Sequence, residues 1–371
     1  MRLLYFIFFL SSILGRGFSC LTDYNERSFS SYDRPERQQS FLSSTGHFMI
    51  HYDTTLCLSC TDSYNFVASL DYVEQVAIAA DSARFLLINR MGYNSEIPDY
   101  DGVYDIFLFD YDPGVYGYNV AESNERILIS ESQCYLEGLS WNTLEESCYF
   151  DGANGASYIK IDKDFVGYDI DPINIMRLTI GHEYFHAIQR AYRPNYGTDD
   201  KKFLEMSSMW FEDIIEPNGN DYLSLGWISN LLDNPERNYN SNSNNGYELG
   251  LFGHYLSGFI DPNGFSDQKN STILREMWER FSIYGNFSNQ LEYIIKNSYN
   301  IDFHEVWNDF MTRNLFNGYS SDPNFELYYH EDQALIDPIS TNPNTITDSL
   351  IIYFPYENNS VTIKSFSVDD G

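Results

Sequence analysis

The chain has 371 residues, 43% of them hydrophobic and 17% aromatic, enough to bury two or three structural units and to exclude wholesale disorder. Against 22 basic residues stand 54 acidic ones, a formal net charge of −32. Such a surface repels nucleic acid and anionic membranes, which are excluded as partners; the acidity itself reads as solubility, in a salty medium included.

Arg2, an apolar run from Leu3 to Leu14 and the small residues Gly17 and Ser19 read as a signal peptide over residues 1–19. The run is too short to span a bilayer, so a secreted protein without stable membrane insertion is expected. The alternative, lipoprotein anchoring through Cys20, sits badly with Phe18. Residues 20–45, polar and rich in Ser, Arg and Gln, read as a flexible leader. In an exported chain the remaining cysteines form two local pairs, Cys57 with Cys60 and Cys134 with Cys148, expected as disulfides.

His47 to Tyr52 alternates as a strand does, and Val67 to Arg90 has helical spacing, with Gly92 as its stop. Tyr104 to Phe109 predicts a core strand; the aspartates around it (99, 101, 105, 110, 112) read as a solvated acidic rim. Loops and short strands over 113–150 lead to a strand at Ser157 to Asp162. Helical patterns follow over 172–192, 203–215, 247–259, 271–283 and 303–316, with an Asn/Ser-rich loop at 238–246. Beyond 335 the pattern turns to β, at Leu350 to Phe354 and Val361 to Lys364. The fold class is α+β: a mixed strand and helix part, a central helix, a mostly helical C-terminal part and a small β appendage. The main domain is expected at 46–330 and the appendage at 335–371, in a monomer.

Gly181-His182-Glu183-Tyr184-Phe185-His186 is the informative stretch. Two histidines four apart on a helix leave one face a turn apart, as two ligands of a tetrahedral zinc must. Glu183 stands beside the first histidine and can serve as a base toward water at the ion. Catalytic zinc takes three protein ligands, and Glu205, eighteen residues beyond His186, is placed to return on a second helix. Glu212, two turns further, either accepts a hydrogen bond from a ligand imidazole or faces solvent. One zinc ion per chain is expected.

H-E-x-x-H, eighteen residues and then Glu resembles the gluzincins, at the spacing of the aminopeptidase N group. The G-A-M-E-N motif of those exopeptidases is absent, so amino-terminal specificity is not implied. The chain is more similar to secreted bacterial metalloproteases of the myxobacterial and marine type. Their H-E-F-F-H-A-x-Q and W-x-x-E-[GS]-[TS]-A-x-W-x-E-D patterns are echoed at His182 to Gln189 and at Trp210 to Asp213, with Met206 after Glu205 where Gly is usual. The resemblance runs from about His47 to about residue 316. It implies a zincin-like metallopeptidase with zinc on His182, His186 and Glu205, and Glu183 as the base that takes a proton from water and returns it to the leaving amine. It also implies an oxyanion donor on a downstream helix, where Tyr247 and His254 are seven apart and would share one face. A peptide or protein substrate would add to strand 157–162 as a sheet edge. The alternative is an extracellular adhesion or matrix-binding protein that keeps a zinc site without turnover; a serine hydrolase is unsupported, since no G-x-S-x-G occurs.

Overall fold

The computed structural model describes residues 34–56, 66–98, 101–112, 114–122, 126–128, 149–151, 155–168, 170–193, 200–224, 226–234, 246–283, 287–338, 349–353 and 362–366. The predicted signal peptide and all five cysteines lie outside these residues.

The sheet is made by strands β1 (Gln39–Leu42), β2 (Phe48–Tyr52), β3 (Tyr104–Phe109), β4 (Gly117–Ala121) and β7 (Ser157–Asp162). Their order is β1-β2-β3-β7-β4. β2, β3 and β7 run parallel, while β1 and β4 are antiparallel to their neighbours and form the two edges. β2 alternates as its sequence does, with Phe48, Ile50 and Tyr52 buried, whereas central β3 is buried on both faces through Leu108, as an interior parallel strand is.

Helix α1 (Leu70–Arg84) is capped by Ser69, whose hydroxyl accepts from the Tyr72 amide, and runs on as a π turn through Arg90. Helix α2 (Pro172–Tyr192) starts with Pro at its first position and Asp171 accepting from the Ile173 and Asn174 amides. Both helices pack on the sheet and on each other. Helix α3 (Lys201–Ile215) lies along α2, followed by short α4 (Asp221–Ser224) and α5 (Trp227–Leu232). A 3₁₀ turn at Tyr247–Leu249 opens α6 (Gly250–Tyr255), which ends in a π turn through Ile260. Then come α7 (Ile273–Ile283), α8 (Phe287–Ser298) and α9 (Phe303–Arg313). Two strand pairs stand apart from the main sheet, β5 (Arg126–Leu128) with β6 (Tyr149–Asp151) and β8 (Ser349–Tyr353) with β9 (Thr362–Phe366). No helix among the described residues is long and apolar enough to cross a membrane.

The structure departs from the sequence expectations at three places. Residues 39–42 belong to no flexible leader: β1 pairs along its whole length with β2. Its side chains are mostly exposed, so backbone pairing forms it without any apolar alternation to betray it. Helix α8 was not expected, although Phe287, Gln290, Leu291, Ile294 and Ile295 bury one helical face. Strand 157–162 is no edge, since it sits between β3 and β4; the edge beside α2 is β4.

Candidate metal centre

α2 and α3 meet closely because Gly181 has no side chain: a Cβ there would come 2.7 Å from Ile215 Cγ2. The approach brings His182 and His186, one turn apart on α2, against Glu205 on α3. One ligand atom from each of the three lies within 4.8 Å of the others, and all three side chains are buried. Atoms that close to one another could share a single metal ion.

Hydrogen bonds behind the rings fix which nitrogen faces the centre. Glu212 Oε1 is 2.6 Å from His182 Nδ1, and a carboxylate only accepts, so Nδ1 carries the proton. His182 Nε2 then faces Glu205 Oε2 at 3.2 Å. The choice left open for Glu212 thus falls to the imidazole rather than to solvent. On His186, Nδ1 is 2.8 Å from Gln189 Oε1. The Gln189 amide nitrogen is committed to Leu204 O and the hydroxyls of Ser207 and Ser208, which orients its oxygen toward the ring. His186 Nε2 is buried with no hydrogen-bond partner and lies 3.6 Å from Glu205 Oε2. Two imidazole nitrogens and a carboxylate oxygen, one atom from each residue, converge in this buried group and could hold a metal ion, which would take the place of the proton on His182 Nε2.

Without an ion, the charges of this group lean on one another. Burial opposes charge on Glu205, but His186 and then His182 outweigh it and hold the carboxyl at about 2. Burial likewise works against a charged His182, and its bonds to Glu205 and Glu212 overcome it, raising the imidazole well above its ordinary value. On Glu212 burial wins over the bond to His182 and pushes the carboxyl up to about 7.

Glu183 is fully buried in the same turn of α2. Its backbone oxygen accepts from Asn119 Nδ2 at 3.0 Å, and Arg190 Nε donates to Asn119 Oδ1 at 2.8 Å, so edge strand β4 is pinned to this turn. Asp162 N donates to Tyr116 O and Glu122 N to Ala156 O. In the register between β4 and β7 these bonds turn the backbone groups of Gly117, Asn119 and Ala121 outward. No described strand pairs with that outer edge.

Tyr247 lies over the His182 ring, with centroids 6.2 Å apart and planes at 20°, and stacks on Trp227 at 4.6 Å. His254 goes elsewhere. The expectation that it shares a face with Tyr247 fails because Tyr247 stands in a 3₁₀ turn ahead of α6. His254 joins Asp213 and His330 in a second buried group. Sequence reading gave no role to Gln189, although its place three residues after His186 was a usable signal, and it passed over Asn119, which nothing local marks. Comparison of the chain with models of protein families, with curated proteins and with solved structures finds no match.

Proposed function

We propose that the protein is a secreted zinc-dependent peptidase with a zincin-like fold, in which His182, His186 and Glu205 hold the ion. One observation carries the reading: the three ligand atoms converge while Glu183, a fully buried acid, occupies the residue next to a ligand. Zinc bound there would supply Lewis acidity, bringing the pKa of a coordinated water down to about 7 and polarising a carbonyl. The chain's own residues do the rest. Glu212 and Gln189 fix the two imidazoles in the tautomer that presents Nε2. Glu183 takes the proton of the attacking water and passes it to the leaving amine. The outward backbone groups of β4 offer an extended peptide a strand to pair with, and the Asn119 bond sets that peptide's height against Glu183. Tyr247, over the His182 ring, is the candidate donor to the oxyanion.

Burial favours a second reading. With His182, His186, Glu183 and Glu205 at most 3% exposed, the same group suits an extracellular binding protein that holds zinc without turnover. A casein or peptide-library digest separates the two. Cleavage that a chelator abolishes and zinc restores is the outcome expected of the peptidase; zinc-loaded protein that cleaves nothing supports the binding protein.

A further inference from the structure

A second histidine–carboxylate group lies at the far end of α3 and plays no part in the function proposed above. Asp213 of α3, His254 of α6 and His330 of the C-terminal segment are each at most 5% exposed, and one ligand atom from each lies within 4.8 Å of the others. For His254 the hydrogen bonds fix the tautomer. His254 Nδ1 is 2.9 Å from Gln268 Oε1, to which Trp210 Nε1 also donates at 3.2 Å. An indole N–H only donates, so that Gln268 atom is the oxygen and His254 Nδ1 bears the proton. His254 Nε2 is therefore a bare lone pair; it has no hydrogen-bond partner and lies 3.7 Å from Asp213 Oδ2. Asp213 Oδ1 is likewise buried without a partner.

On His330, Nε2 is 2.7 Å from the Tyr222 hydroxyl, which donates to Asp332 Oδ2 at 3.1 Å. With the Tyr222 proton on the Asp332 carboxylate, His330 Nε2 donates to the phenol oxygen, and Nδ1 keeps a lone pair for an ion. Two buried acceptor atoms of the group, His254 Nε2 and Asp213 Oδ1, are thus unfilled, and burial together with the charges of Asp332, Glu331, Glu212 and Glu216 pushes the Asp213 carboxyl up to about 8. A hydrogen-bonded polar core would place a donor against them; a cation satisfies them all at once. A cavity of about 360 Å³ adjoins, lined by Asp213, Gln268, His330, Glu331 and Lys269 among others, and gives an ion and its remaining water ligands a way in.

We infer that Asp213, His254 and His330 form a second binding site for a zinc-type dication, which ties the C-terminal segment to the helix carrying Glu205. Two imidazoles and one carboxylate favour zinc over calcium or magnesium, which prefer oxygen throughout. The site rests on residues separate from the first, so either can fail alone.

The test is zinc content of the full chain after equilibration with zinc and desalting, together with thermal unfolding with and without the metal. We expect two zinc per chain in the parent protein, one in His182→Ala, one in His330→Gln and none in the double variant. In His182→Ala, zinc should still raise the unfolding temperature, and adding His330→Gln or His254→Gln should abolish that rise. A parent with one zinc that is lost in His182→Ala and kept in His330→Gln overturns the second site. One zinc kept in His182→Ala and lost in His330→Gln upholds it and removes the first instead. Should His330→Gln fail to fold, absence of any zinc-dependent stabilisation in His182→Ala is enough to reject the site.

Discussion

The two histidine–carboxylate groups share helix α3, one drawing on Glu205 within it and the other on Asp213 near its end. Their side-chain chemistry is alike, two imidazoles and an acid, and in both each imidazole has a buried hydrogen-bond partner: Glu212 and Gln189 in the first, Gln268 and the Tyr222 phenol in the second. They differ in what stands beside the ligands. The first has Glu183 next to a ligand and an edge strand pinned to the same turn; the second joins three segments far apart in the chain. Converging side chains of this kind explain only how a metal could be held. A proton carrier and a place for the substrate backbone are what turn a metal site toward hydrolysis.

The largest effect that would sharpen this contrast is expected at Glu183. Glu183→Gln keeps shape and removes the base, so turnover should fall by about 10²–10⁴-fold with zinc content unchanged. Near-parental activity would place the chemistry elsewhere. Next comes Tyr247→Phe, for which a loss of about 10²–10³-fold in kcat with KM and metal content little changed is expected of an oxyanion donor. Unaltered kcat would reduce Tyr247 to a ring packed between His182 and Trp227. Removing the acceptor behind His182 is a milder change: Glu212→Gln should weaken zinc binding at the first group by about 10–100-fold, read by competition with a chromogenic chelator.

The smallest effect concerns the metal-free protein, where the two acids around His182 should pull stability in opposite directions with pH. Glu205 is held at about 2, below the ordinary 4.5, so its contribution is present above about pH 4.5 and is lost as pH falls toward 2. Glu212 is raised to about 7; what it contributes is full below about pH 4.5 and lost as pH rises through 7. Urea midpoints at about pH 3, 5 and 8 should therefore show Glu205→Gln costing least at pH 3. Glu212→Gln should gain on the parent between pH 5 and 8. Parallel curves for both variants would contradict these assignments.

The first group was legible in the sequence because its chemistry is compressed into helical periodicity. His182, Glu183 and His186 fit one and a half turns, and a second helix returns after a short connection with Glu205 and Glu212 on one face. The second group was not legible. Asp213, His254 and His330 are brought together only by the packing of three segments, and nothing in the local pattern of any one marks it as a ligand. The sheet shows the same divide. β2, β3 and β7 announce themselves by buried alternation or an apolar run, while exposed β1 carries no such pattern, and the edge role of β4 depends on a pairing that is not written locally.

The close crossing at Gly181 has a consequence for how such a chain can vary by descent. Every replacement of glycine adds a Cβ, and here that carbon collides with one atom of Ile215, so position 181 has no conservative substitute of its own. Its freedom lies in the other residue. A relative with alanine at the position of Gly181 should carry a side chain smaller than isoleucine at the position of Ile215, and the two should be inherited as one character.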